Sequence, residues 1–379
     1  MPELPEVERA ARLMRELAEG KVLEEVETTE DTIVFAGTTH EAFRSELLGR
    51  TIESVGRYGK VFYLLLSGQG KMPVLHFGMT GMLQVRGVAP LHYREAPRKA
   101  ANTWPPRFMK FILHLRSPDV VPNTAANTQI AFLDARRLGR IRLCLSPLTE
   151  PPISAMGFDP ILSMPELDDF RKGILKRTCP IKALLLDQSF SAGVGNWVAD
   201  EILYHARVHP EQRCHTLSEE QISALHLQTS EVCRIAVEAN ADDSKFPIDW
   251  LFKHRWGKGK RKSAETEGKP LELPNGDNAT IKWVTVGGRT SAFVAELQTL
   301  STTGVGTPES EESDLTPLSG DEEELNTRPT ERKEKEGIPI SSLMRFITLQ
   351  SMLKYDTLRY VTTSTKRQER YVTQDRRFQ

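Results

Sequence analysis

The chain has 379 residues, enough for two or three domains with separate cores, and its 50 Lys+Arg against 51 Asp+Glu leave a formal net charge of −1. That balance names no partner, so any nucleic-acid surface must come from uneven placement of charge. The four cysteines, Cys144, Cys179, Cys214 and Cys233, form no C-x-x-C pair, which argues against a zinc ribbon or a disulfide framework. The acidic N-terminus lacks an apolar signal core and no stretch is apolar for long enough to span a bilayer, so an intracellular soluble protein is expected.

Val7, Ala10, Ala11, Met14 and Leu17 recur at helical spacing from Pro5, with Gly20 as the stop. VLEEVETTEDTIVF, TIESVGRYGKVFYLLLSG, PVLHFGMTGMLQV, FMKFILHL and QIAFLDARRLGRIRLCL then read as short strands of a sandwich or barrel ending near Pro147. A proline-rich linker follows. From Leu167 to about Asn240 four helical patterns succeed one another, with FSAGVGN as a glycine-bearing turn between the second and third. KFPIDWLFKHRWGKGKRK carries six Lys/Arg and no acid from Lys253 to Lys262, and two β-runs joined at Gly287-Gly288-Arg289 then signal a hairpin. Residues 309–324 hold eight acids and no base, so disorder is expected there.

Several short stretches carry chemistry, each with a plainer alternative. MPELPEVE crowds prolines and acids at a chain start. Removal of Met1 would expose Pro2 as a secondary amine, and an α-amino group has a pKa near 8, so it is partly unprotonated at neutral pH. Attack on a sugar C1′ would give an iminium ion, with Glu3 protonating or shuttling and Glu6 one turn along. The alternative is a helix start with acids at the positive dipole end, and on these residues alone that reading ranks first. Lys60 stands before a core-like run, His76 and Met79 lie in a turn bracketed by Gly78 and Gly81, and Arg136, Arg137 and Arg140 surround Leu138. Solvated turns and a core methionine explain these equally well. Two glycines followed by Asn196 at a helix start suit phosphate binding, with a tight helix corner as the alternative. Arg289 at a hairpin tip could enter a groove or stay idle.

Taken together and in this order, the stretches resemble the formamidopyrimidine-DNA glycosylases, from Met1 to about Leu300. PELPEVE and GVGNWVADEIL are the most specific parts. Leu4 separates this branch from the endonuclease VIII relatives, which have glycine there. The resemblance implies an α+β multidomain protein: an N-terminal helix and catalytic β-sandwich (1–148), a helix–two-turns–helix domain (149–256), a zincless-finger hairpin (257–300) and a disordered tail (301–379). It implies a bifunctional glycosylase/AP lyase for oxidised purines, working by β,δ-elimination in base excision repair. Pro2, Glu3, Lys60 and Arg289 are the implied catalytic residues, with Glu6 in support. His76, Met79, Arg136, Arg137, Leu138, Lys182 and Asn196 are implied DNA contacts, Met79 and Leu138 as inserted wedges and Lys182 and Asn196 on phosphates.

No cofactor or metal is expected, because the hairpin lacks the four zinc-ligand cysteines of bacterial members. Packing by Trp283 and Phe293 would replace the metal's contribution. The expected partner is duplex DNA bearing an oxidised base or abasic site, bound by a monomer, with a tail that could recruit repair proteins and a nuclear location. Leu138 where phenylalanine is usual, and the short NADDSKFPIDWLF segment, point toward formamidopyrimidines and hydantoins ahead of 8-oxoguanine. An endonuclease VIII-like enzyme for oxidised pyrimidines and a non-catalytic damaged-DNA binder are the competing readings.

Overall fold

The structure, a computed structural model, describes residues 2–88, 103–119, 128–256 and 270–300. These all fall within the first of two units, Met1–Asp321. The expected disordered tail and the basic residues 258–262 lie outside the described residues.

Helix α1 (Leu4–Ala18) starts as the sequence predicts, with Pro5 in its first turn and Glu6 reaching back to the Glu3 N–H in a capping box. It buries Val7, Ala10, Ala11 and Met14 against a sandwich of two antiparallel four-stranded sheets. One sheet has the order β1 (Val22–Thr28), β6 (Met109–Arg116), β7 (Thr128–Leu133), β5 (Met82–Val85). The other runs β2 (Ile52–Tyr58), β3 (Val61–Leu66), β4 (Met72–His76), β8 (Arg140–Cys144). A stack of Phe62, Phe77, Phe132 and Phe111, with ring centroids 5.1–5.4 Å apart, joins the two sheets.

Three of the five stretches hold two strands each, TIESVGRYGKVFYLLLSG dividing into β2 and β3 of one sheet. PVLHFGMTGMLQV is two strands, β4 and β5, that belong to different sheets, and QIAFLDARRLGRIRLCL likewise divides into β7 and β8. Each break, residues 77–81 and 134–139, is a crossing between the layers. Helix α2 (His40–Leu47) went unread, although Thr39 caps it through the Ala42 N–H and Phe43 and Leu47 are spaced one turn apart.

Beyond the linker come α3 (Leu167–Leu175), α4 (Ile181–Leu186), α5 (Asn196–His205) and α6 (Glu219–Glu238), close to the expected spans. Their core contains Leu4 of α1's first turn, so the two halves share apolar contacts at the N-terminus. Hairpin strands β9 (Ile281–Val286) and β10 (Arg289–Val294) pair in register across Gly287-Gly288, both at positive φ as a tight two-residue turn requires.

The hairpin is docked by more than the two aromatics expected. Ala292 and Val294 are buried with Tyr204, Leu251 and Leu271. The Trp283 indole N–H donates to the Arg255 carbonyl at 3.0 Å, and Phe293 meets His209 edge-on at 4.5 Å. The four cysteines lie elsewhere, all buried. Among the described residues no helix is long and apolar enough to cross a membrane.

Candidate nucleic-acid interface and active site

Glu3 is the residue around which the two halves meet. It is 2% exposed, and its carboxylate accepts from the Trp197 and Val198 N–H groups, both at 3.0 Å. Those are the second and third residues of α5, where backbone donors have no helical partner and the dipole favours negative charge. The glycine-bearing turn therefore receives a carboxylate of the protein itself on these two donors, where a phosphate was expected. Gly195, rather than Asn196, is the N-cap. A Cβ on Gly195 would lie 2.3 Å from Glu3 Cδ, so glycine is a steric requirement. Gly193, at φ +99°, accepts from the Leu4 N–H at 3.0 Å and packs against Gly59.

Gly59 and Lys60 form the turn between β2 and β3, so Lys60 immediately precedes the core-like run of β3. That turn is held by Asp159, fully buried, which accepts from the Gly59 N–H at 2.8 Å and pairs with the buried Arg57. Arg57 also reaches Glu8 of α1 at 2.8 Å, tying the turn to the N-terminal helix. Lys60 is 8% exposed. Burial and the field of Arg289 hold its ammonium below the ordinary lysine range, while Glu3 and Glu6 act in the opposite sense. Glu6 accepts from the Glu3 N–H at 2.9 Å and from the Trp197 indole N–H at 3.2 Å. Burial, then the neighbouring Glu3 carboxylate, raises it to about 7. Pro2 is buried beside this group.

Thus Pro2, Glu3, Glu6, Lys60 and Arg289, scattered over 288 positions, converge. Arg289 is the first residue of β10 and partly exposed. The hairpin end is fixed by Asn196, whose side-chain N–H donates to the Thr290 carbonyl at 3.0 Å. That bond takes one of the two protons Asn196 has for a phosphate, and its amide oxygen is buried without a hydrogen-bond partner among the described residues.

Lys182 is a clear correction. It is fully buried, with its ammonium on Asp200 and, at 3.0 Å, on the Asn196 carbonyl, so it has no surface from which to reach a phosphate. Asp200 also accepts from Arg255 at 2.6 and 3.1 Å and from the Ala292 N–H at 3.2 Å. Lys182 thus belongs to a buried node joining α4, α5, the 251–256 turn and the hairpin. The sequence shows only a helix-face lysine, because nothing local reveals which carboxylate it faces.

The second cluster lies at the crossings between the sheets. Asp134, fully buried, accepts from the Arg136 N–H at 3.1 Å, the Gly139 N–H at 2.6 Å and the Thr80 hydroxyl at 3.4 Å. Gly78, at φ +60°, packs so closely on the 138–139 backbone that a Cβ would lie 2.3 Å from the Leu138 carbonyl carbon. The turns carrying Met79 and Leu138 are therefore braced together, with both side chains half-buried and Arg136 exposed. Arg137 does not stand free as a phosphate clamp. Its Nε and Nη2 grip Asp31 at 3.0–3.2 Å, while the side chain as a whole is about half exposed. Against the cost of burial, Arg137 and Lys110 keep the Asp31 carboxyl well below the usual range.

His76 Nδ1 accepts from the Gly78 N–H at 3.1 Å. Burial, then Lys60 and the arginines at 142 and 140, lower it to about 4, so the ring is neutral at physiological pH with its proton on Nε2. Asp31, Asp134, Asp159, Trp197 and Asp200 were all missed as site residues. Only Asp134 carried a readable signal, an aspartate opening a glycine-containing turn.

Residues 1–141 match the formamidopyrimidine-DNA glycosylase N-terminal domain and residues 156–247 match that family's H2TH domain. A formamidopyrimidine-DNA glycosylase of Arabidopsis thaliana is 38% identical over 300 residues, 79% of this chain and 71% of the relative. The chain belongs to the formamidopyrimidine-DNA glycosylase family. The Bacillus subtilis member is 28% identical over 310 residues and is covered over 99% of its length. The family fold is equally evident in solved structures. A Lactococcus lactis member in complex with abasic-site DNA is matched with a TM-score of 0.59 and 26% identity, covering 78% of this chain and 99% of that one. Family membership bears out the fold class inferred from the sequence.

Proposed function

We propose that this chain is a bifunctional DNA glycosylase/AP lyase acting on duplex DNA that carries an oxidised purine or an abasic site. One observation carries the reading: Glu3, beside an N-terminal proline, is fixed by two α5 amides within a group that also contains Lys60, Glu6 and Arg289. After removal of Met1, the Pro2 nitrogen attacks C1′. The N–C1′ bond forms as the glycosidic bond breaks, and the base leaves with the bonding pair and gains a proton; the amine then gives up its proton and the C1′–O4′ bond breaks, O4′ taking a proton, to open the sugar ring as an iminium. The resulting iminium acidifies C2′–H, whose loss expels the 3′ phosphate. A second proton loss, from C4′, expels the 5′ phosphate and leaves a one-nucleotide gap. Glu3 is the group placed to give and take these protons.

Reaching C1′ requires extrusion of the nucleotide from the stack. Met79 and Leu138 suit the roles of wedges filling the hole, Arg136 that of reader of the opposite base, and neutral His76 that of phosphate donor through Nε2–H. Arg289 and one proton of Asn196 suit backbone contacts. The three folded parts, with boundaries near residues 148 and 256, would act as a monomer, with DNA against the face that carries both clusters. Formamidopyrimidines and hydantoins are the proposed better substrates, and a nuclear location follows from the substrate.

The test is borohydride trapping on duplex DNA with one abasic site, after verifying that Met1 is absent, with wild type beside Pro2→Gly. A covalent band strongly weakened by Pro2→Gly supports the amine nucleophile; no band from wild type overturns it in favour of a binding protein. Excision assays with 8-oxoguanine and thymine glycol then test lesion class, and either one as the fastest substrate would overturn the stated preference.

A further inference from the structure

Trp197 makes two different contacts with the acidic pair, and only one comes from its backbone. The main-chain N–H goes to Glu3, which any residue at that position would supply. The indole N–H goes to Glu6 Oε1 at 3.2 Å, which only tryptophan supplies there. The other Glu6 oxygen accepts from the Glu3 N–H, so Glu6 is a bridge from the α5 side chain to the peptide unit that carries Pro2.

The indole itself is fixed. Trp197 is 4% exposed, stacks on Phe246 at 5.7 Å, and meets Phe252 edge-on at 4.9 Å and Trp250 at 6.4 Å. Those three rings come from the KFPIDWLF segment. A rigid indole gives a directional donor that loses little freedom in holding Glu6.

Resting on the glycosylase/lyase reading, we propose that Trp197 is a positioning residue for Schiff-base formation: its indole N–H orients Glu6 and, through the Glu3 amide, the Pro2 amine. Glu6 also feels Glu3 on its own helix start and Lys60 of the β2–β3 turn, which is in turn under the field of Arg289. Removing the indole donor withdraws one of two hydrogen bonds that favour the ionised Glu6 carboxylate, so its protonation moves to higher pH.

The experiment is single-turnover borohydride trapping on abasic-site duplex, with binding to a non-cleavable tetrahydrofuran-site duplex measured in parallel. Four proteins are compared: wild type, Trp197→Phe, Glu6→Gln and the double variant. Trp197→Phe is expected to trap about tenfold more slowly with binding unchanged, and the acid limb of its pH profile is expected to rise by about one unit. In the Glu6→Gln background the same change should have no further effect. Should Trp197→Phe fold poorly, benzothienylalanine at the same position keeps the two-ring shape without the donor and is held to the same expectation. Wild-type rates in either variant, or an equal slowing with and without Glu6, would overturn the proposal. Absence of trapping by wild type would instead sink the glycosylase/lyase reading, and the positioning role with it.

Discussion

Two buried carboxylates organise this molecule in nearly the same way and to different ends. Glu3 takes two backbone N–H groups at the start of α5, and Asp134 takes two backbone N–H groups and a hydroxyl at the sheet crossing. Glu3 joins separate halves of the molecule, because its donors lie 194 and 195 residues away. Asp134 is local to its turn apart from Thr80, 54 residues back. The first lies within the group proposed to react; the second braces turns that carry half-buried Met79 and Leu138 and exposed Arg136. The same hydrogen-bonding device therefore stands at the proposed chemistry in one place and braces shape in the other, and only the surrounding groups tell them apart.

Glu3→Gln should break the comparison most sharply. It keeps one acceptor for α5 and removes the proton carrier, so base excision is expected to fall by roughly 10²–10⁴-fold, with the fold retained by circular dichroism. Asp134→Asn should leave chemistry at a preformed abasic site within a few-fold of wild type; a loss as large as that of Glu3→Gln would mean that the two carboxylates do not divide the work as described.

Gly195→Ala comes next. Its Cβ would sit 2.3 Å from Glu3 Cδ, so Glu3 must move, and single-turnover trapping is expected to drop about 10²-fold from the misplacement alone. Asp134→Ala should act mainly on stability, by about 2 kcal/mol in urea unfolding, because the buried Gly139 N–H and the part-buried Arg136 N–H lose their acceptor. Affinity for tetrahydrofuran-site duplex should weaken with it as the two braced turns loosen.

The smallest effect concerns pH. Glu6 sits at about 7 in the folded chain against an ordinary 4.5, so the folded state holds its proton more tightly than the unfolded state. Its contribution is fully present below the unfolded value and is lost as pH rises through about 7, so stability falls across that window. Glu6→Gln should flatten that fall, worth about 1 kcal/mol once the partial openness of the side chain is allowed for, as read from melting temperatures at pH 5 and pH 8. An unchanged slope would place Glu6 in a more solvated setting than the structure shows.

The order of elements was largely legible. Proline placement and 3.6-residue spacing located α1 and the four later helices, and Gly287-Gly288 located the hairpin turn, because these signals act within a few residues. PELPEVE and GVGNWVADE also marked the N-terminus proposed to react and the turn it meets. Lys182 shows where such reading stops: an exposed phosphate contact and a buried structural cation look alike in the chain, and burial against Asp200 decides between them. The turns at 77–81 and 134–139 were legible from their glycines, but not that each carries the chain from one sheet to the other. Which sheet each flanking strand joins depends on partners distant in sequence.

The sequence by itself determined the local conformations, the chemical repertoire and the family resemblance, since these rest on residue identity and near neighbours. Tertiary structure alone decided which donors Glu3 would find, which carboxylate would neutralise Lys182, and that an indole from α5 would reach Glu6. Those are long-range pairings in a low-dielectric interior, where each buried charge must be met by a specific partner and nothing short of the folded chain specifies which.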